Sequence, residues 1–131
     1  MQPAPGEPGR LRVVVIDADD RVRESLVGLL CIGERLMVVG DAGQAAAGLD
    51  VVLATEPDIV VIDPRLPDLD GGTALIHRVR AAAPRVRILV MGAPSLEGSD
   101  LQRAGDGFVR KTFRPSDLVA AVVAAAVPLA S

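Results

Sequence analysis

The sequence predicts an α/β fold, a doubly wound five-stranded parallel sheet, on three observations. Short apolar runs alternate along the chain with stretches of helical spacing, and that alternation implies right-handed crossovers with helices on both faces of the sheet. The runs are continuously apolar, as in "VVVI" (13–16) and "IVVI" (59–62), which marks strands buried on both sides. With 131 residues, the chain is one domain with room for a core of its own.

Residues 1–10, rich in Pro and Gly, read as a disordered tail, and residues 11–131 as the domain. "LRVVVID" (11–17) is the first strand. "DDRVRESLVGLL" (19–30) follows as a helix, with Val22, Leu26, Leu29 and Leu30 on one stripe and acids in its first turn. "RLMVVGD" (35–41) is the second strand, and an Ala-rich helix runs on to about Ala54. "DIVVID" (58–63) is the third strand. "TALIHRVRAAA" (73–83) is a helix that stops before Pro84, and "VRILVMG" (86–92) the fourth strand. "FVRK" (108–111) is a short fifth strand, and "PSDLVAAVVAAAV" (115–127) a helix opening on Pro, whose missing N–H costs nothing there.

Composition excludes several classes. No apolar stretch reaches the roughly 18 residues needed to cross a bilayer, and the opening "MQPAPGEPGR" lacks the apolar core of a signal peptide. The chain reads as cytoplasmic, with no membrane partner. A net charge of -3 argues against direct contact with nucleic acid, which needs a basic surface. The single cysteine, Cys31, rules out an internal disulfide and reads as a packed small apolar residue. His77 lies in a helical pattern with no Cys or His company and reads as surface.

In doubly wound sheets the functional crevice lies beyond the carboxyl ends of the strands. Those ends are Asp17, Asp63, Gly92 and Lys111, and Lys111 is the only lysine among 14 basic residues. Two carboxylates and the lone ammonium therefore converge on one edge. Carboxylates about 4 Å apart repel by roughly 4 kcal/mol at an effective dielectric near 20, so the cluster needs a cation between them or a raised pKa. Mg²⁺ suits one or two carboxylates together with phosphate oxygens. That combination points to phosphoryl chemistry.

Three segments carry a resemblance to a known family. "VVVID", "DIVVIDPRLPDLDG" with Leu66, Pro67 and Gly71 after Asp63, and "GDGFVRK" ending in Lys111 occur in order. Over residues 11 to about 127 the chain resembles the receiver domain of two-component response regulators. The local wording of "PDIVVID", "DGFVRK" and "RPSDL" is similar to the NarL/LuxR-type subclass, whose receivers precede a DNA-binding helix-turn-helix.

The resemblance implies the CheY-like strand order 2-1-3-4-5. It implies that Asp63 is the phosphoacceptor, and that Asp17, Asp63 and the backbone carbonyl of Arg65 hold Mg²⁺. Lys111 would clamp the phosphoryl oxygens and Phe108 would be the aromatic switch residue. A sensor histidine kinase, an output domain or partner protein, and pairing as a homodimer are implied as partners, the chain itself being no turnover enzyme.

Three departures from that pattern matter. Ala18 follows Asp17 where the family has a second acid, which weakens the Mg²⁺ site, and Asp19 and Asp20 are not a shifted copy because Arg23 keeps the helix register. Gly92 stands where the family has Ser or Thr. A hydrogen bond to a charged acceptor is worth roughly 1.5 to 3 kcal/mol, much of what a two-state switch works with, so the usual relay is lost. The stretch "GAPSLEGSDLQRAG" (92–105) is short and carries Pro94 and Gly98, so the fourth helix shrinks to one or two turns capped by Ser95 or Ser99.

Ala18 and Gly92 tilt the reading toward a pseudo-receiver, controlled by a partner or ligand, over a phosphorylatable receiver. Arg65 is a candidate to bring its guanidinium over the acidic pocket as a stand-in cation. An alternative is a small haloacid-dehalogenase-like phosphatase, in which Asp17 is nucleophile, Asp19 general acid and "GDG" (105–107) the late acidic motif. The Ala-rich end suggests that a linker begins there and that the chain is part of a longer regulator.

Overall fold

The computed structural model describes residues 10–111 and 114–126. Its elements run β1 (Leu11–Ile16), α1 (Asp20–Leu30), β2 (Leu36–Ala42), α2 (Ala45–Thr55), β3 (Ile59–Ile62), α3 (Leu69–Ala82), β4 (Arg87–Gly92), a 3₁₀ turn (Pro94–Leu96), α4 (Asp100–Ala104), β5 (Gly107–Arg110) and α5 (Pro115–Ala126). The sheet is parallel throughout, in the order β2-β1-β3-β4-β5. The fold class, the strand order and the shortened fourth helix are as expected. The expected tail falls outside the described residues except for Arg10.

The continuously apolar strands divide their side chains between two cores. Val14, Ile16, Val60, Ile62, Ile88 and Val90 face Val52 of α2 and Leu75, Ile76 and Val79 of α3. Their neighbours Val13, Val15, Ile59, Val61, Leu89 and Met91 face Leu26 and Leu30 of α1 and Leu118 and Val122 of α5. Successive strand residues point to opposite faces, so a run with no polar member can only be a central strand covered on both sides.

Three local readings need correction. Helix α3 begins at Leu69, not Thr73. Asp68 caps it by accepting from the Gly71 amide at 2.9 Å, and the two glycines belong to the first turn because only a hydrogen fits there. A Cβ at Gly71 would meet the Leu66 carbonyl oxygen at 2.1 Å, and one at Gly72 would meet the Pro64 oxygen at 1.7 Å. Cys31 is exposed rather than packed, since Leu26 and Leu30 make the buried stripe of α1 and Cys31 is the residue that caps it. Of the two serines, Ser99 alone caps α4, accepting from the Gln102 amide at 3.2 Å. Ser95 lies inside the 3₁₀ turn that Pro94 opens.

Candidate functional site

Asp17 and Asp63 each follow the last residue of an adjacent inner strand. The Asp63 amide donates to the Ile16 carbonyl at 3.0 Å and the Asp17 amide to the Ala42 carbonyl at 3.1 Å, so the ladder holds both backbones. The two are the buried charged residues among those described, 1% and 6% exposed. Lys111 follows β5 and is fixed to β4 by its own amide, which donates to the Gly92 carbonyl at 2.8 Å.

The three side chains meet. Lys111 Nζ pairs directly with Asp63 Oδ2 and stands 3.3 Å from Asp17 Oδ2. The other oxygens are met by backbone: Asp63 Oδ1 accepts from the Arg65 amide at 3.1 Å, and Asp17 Oδ1 from the Asp19 amide at 2.9 Å. Asp17 Oδ2 is buried and receives no aligned hydrogen bond, so its contact with Lys111 is an ion pair only. Burial works against the Lys111 charge, but the Asp63 hydrogen bond and the charges of Asp63 and Asp17 outweigh it and hold the ammonium above the usual lysine range. A cavity of about 400 Å³ opens over this cluster, bordered by Ala18, Arg65, Pro67, Gly92 and Leu96.

The cavity fits Mg²⁺ on the chemistry of its donors. Two carboxylates, one with an unbonded buried oxygen, provide hard oxygen ligands. The set is thin, because no group of three or more acidic, His or Cys side chains poised for a metal occurs among the described residues. Ala18, exposed at the rim, is where a third would stand.

The other sequence candidates do not join the cluster, although Asp19 and Arg65 border its cavity. Arg65 is exposed and contributes its amide; among the described residues no ion pair joins its guanidinium to either acid. Asp19 caps α1 by accepting from the Arg21 and Val22 amides. Asp106 of the "GDG" stretch precedes β5, at the opposite end of the sheet, where Arg80 holds it at 2.9 Å and Arg87 at 3.5 Å. The phosphatase alternative therefore loses its late acid, and Asp19, though it borders the cavity, is engaged as a helix cap. His77 is exposed. Phe108 lies half-buried on β5 against the α3-side core.

Two residues matter here in roles not read from sequence, where Arg23 served only as a marker of helix register. Arg23 donates to the Asp17 carbonyl at 2.8 Å, to Asp41 at 3.1 Å and to Asp20 at 2.7 Å, tying the ends of β1 and β2 to α1. Leu96 packs over Gly92, where a Cβ would approach Leu96 Cδ1 to 2.5 Å. An isolated apolar residue in a polar turn just after a strand-ending glycine is the signal that could have marked it.

A parallel 2-1-3-4-5 sheet with two acids and a lysine at its carboxyl edge defines a receiver domain. The profile of the response regulator receiver domain matches residues 13–123, and the chain belongs to that family. It is of the NarL/LuxR type. The NarL protein of Mycobacterium tuberculosis is 32% identical over 120 residues, covering 89% of this chain and 55% of that protein. The DNA-binding transcriptional activator DevR/DosR of the same organism is 32% identical over 115 residues, covering 86% and 52%. The solved receiver domain of M. tuberculosis NarL superposes with a TM-score of 0.78 at 31% identity, covering 91% of this chain and 98% of that one. The chain spans about half the length of these curated relatives. Receiver domains as a class carry signals rather than turn over substrates, and generally bind Mg²⁺ at their phosphorylation site. No helix among the described residues is long and apolar enough to cross a membrane.

Proposed function

We propose that this receiver domain accepts a phosphoryl group on Asp63 and passes the change in state to an output domain or partner protein. The observation that supports it most is the ammonium of Lys111 on Asp63 Oδ2 with Asp17 Oδ2 3.3 Å away. A carboxylate oxygen of Asp63 forms the new bond to phosphorus while the donor's bond breaks, P–N in a phosphohistidine or P–O in acetyl phosphate, and the imidazole or acetate departs in line with the attack. Lys111, freed from Asp63 as that carboxylate becomes an acyl phosphate, would hold the phosphoryl oxygens as a point charge. Asp17, Asp63 and the backbone carbonyl of Arg65 would hold Mg²⁺, which when bound neutralises phosphoryl charge. With Ala18 beside Asp17, that ion is bound weakly.

The donor in this reading is a sensor histidine kinase in the cytoplasm. The output is a DNA-binding regulator domain, on the pattern of the relatives, and the receiver pairs as a homodimer. Incubation with acetyl phosphate and Mg²⁺, followed by intact mass, tests the chemistry. Addition of one phosphoryl group that is absent from Asp63→Asn and from the metal-free sample supports it; an unmodified wild type at high Mg²⁺ overturns it. The second reading, a pseudo-receiver that works without phosphorylation, is favoured by the two-carboxylate metal set and by Gly92, and an unmodified wild type is its expected result.

A further inference from the structure

Glycine at 92 answers to space rather than to backbone conformation. Its φ is not positive, so the chain there could carry any side chain. What a side chain there would displace is Leu96, whose Cδ1 would lie 2.5 Å from a Cβ at 92, while Phe108 Cε1 at 3.6 Å is in ordinary contact. Leu96 is 8% exposed, belongs to the same core as Val90 and Ile62, and borders the cavity that holds Asp63 and Lys111.

The turn that carries Leu96 is fastened on both sides. The Leu96 amide donates to the Ala93 carbonyl at 3.0 Å, and its carbonyl accepts from the Ser99 amide at 3.1 Å and from the Ser99 hydroxyl. The next residue, Glu97, forms an ion pair with Arg110 of β5, Arg110 Nη2 lying 3.2 Å from Glu97 Oε2. Exposed pairs of this kind contribute little to stability, so this one can open at small cost. It links the turn over the pocket to the surface of β5.

We propose that Leu96 is the switch-positioning residue of this chain. It fills the volume left by Gly92, and its movement relays the occupancy of Asp63 to β5 through Glu97 and Arg110. The aliphatic side chain has no hydrogen bond to offer, so the relay is steric: a tetrahedral group on Asp63 competes with Leu96 for the cavity, the 94–97 turn shifts, and Arg110 loses its partner. The inference rests on the phosphoacceptor reading, since it needs a group on Asp63.

Two measurements test it. In thermal melts, Gly92→Ser and Leu96→Ala each lower Tm, and the double variant melts no lower than Leu96→Ala alone, because the new side chain enters the vacated space. Additive losses overturn the packing relationship. In NMR, Mg²⁺ with beryllofluoride shifts both Lys111 and the Arg110 amide in the wild type. The Arg110 shift is lost in Leu96→Ala and kept in Leu96→Met, while Lys111 still responds in both. A response at Lys111 with Arg110 unmoved, or an Arg110 shift that survives Leu96→Ala, overturns the relay alone. A wild type in which neither responds overturns the phosphoacceptor reading and the relay with it.

Discussion

The Asp63 amide donates to the carbonyl of Ile16, the residue before Asp17. That one ladder bond sets two acids side by side at the ends of neighbouring strands. Their proximity is therefore a property of sheet register, and the lysine beyond β5 is what makes it tolerable.

Restoring the missing acid should strengthen the metal site. Ala18 is exposed at the cavity rim, so Ala18→Asp brings a third carboxylate without disturbing the core. We expect Mg²⁺ to bind about tenfold tighter or better, a gain of about 1.4 kcal/mol or more. The variant should melt lower than wild type without metal, from carboxylate repulsion, and gain more Tm on adding Mg²⁺. Equal Mg²⁺ responses in the two proteins would contradict the site as drawn.

The raised pKa of Lys111 sets a pH window. Its contribution to stability is fully present below the ordinary lysine value of 10.5 and is lost as pH rises through the higher folded value. Lys111→Met, which leaves two buried carboxylates without their cation, should lower Tm clearly at neutral pH. The gap to wild type should close under strongly alkaline conditions. A gap independent of alkaline pH would mean that the loss comes from packing.

Arg23→Gln should destabilise the fold by about 2 kcal/mol, the scale of hydrogen bonds to charged groups. Asp20 and Asp41 are substantially exposed, so the effect should follow the bond to the Asp17 carbonyl. Asp41→Asn should then cost clearly less. Urea midpoints check both, and equal losses would point instead to the ion pairs.

Gly72→Ala should be among the most damaging single-methyl additions in the chain. Its Cβ would lie 1.7 Å from the Pro64 oxygen, a clash with backbone that only a shift of α3 or of the loop carrying Asp63 relieves. We expect a loss of about 3 kcal/mol or more, against a gain of about 0.5 to 1 kcal/mol for Gly28→Ala, exposed inside α1 with nothing within 4 Å. A mild Gly72→Ala phenotype in denaturant titrations would show that the loop yields.

The sheet and the strand-end chemistry were legible because both follow from periodicity. "IVVI" can only be buried on both faces, and a residue that ends such a strand sits on the functional edge. The start of α3 was not legible: helix propensity penalises Gly71 and Gly72, while the backbone approach that requires them appears only once the 64–66 carbonyls are placed. Arg23 went unread as a clamp because its partners lie 3, 6 and 18 positions away on two strand ends and a helix. Gly92 was read as a missing hydroxyl and not as a space, since what fills it depends on the path of the 94–97 turn.

The sole lysine offers the most direct test of the central claim, that Asp17, Asp63 and Lys111 form one phosphoryl-accepting site. With ¹³C-labelled lysine a single Cε resonance reports the pocket. The account predicts that it moves when Mg²⁺ and beryllofluoride are added together, moves little with either alone, and stays still in Asp63→Asn. An unresponsive resonance in the wild type, or the same movement in Asp63→Asn, would contradict it.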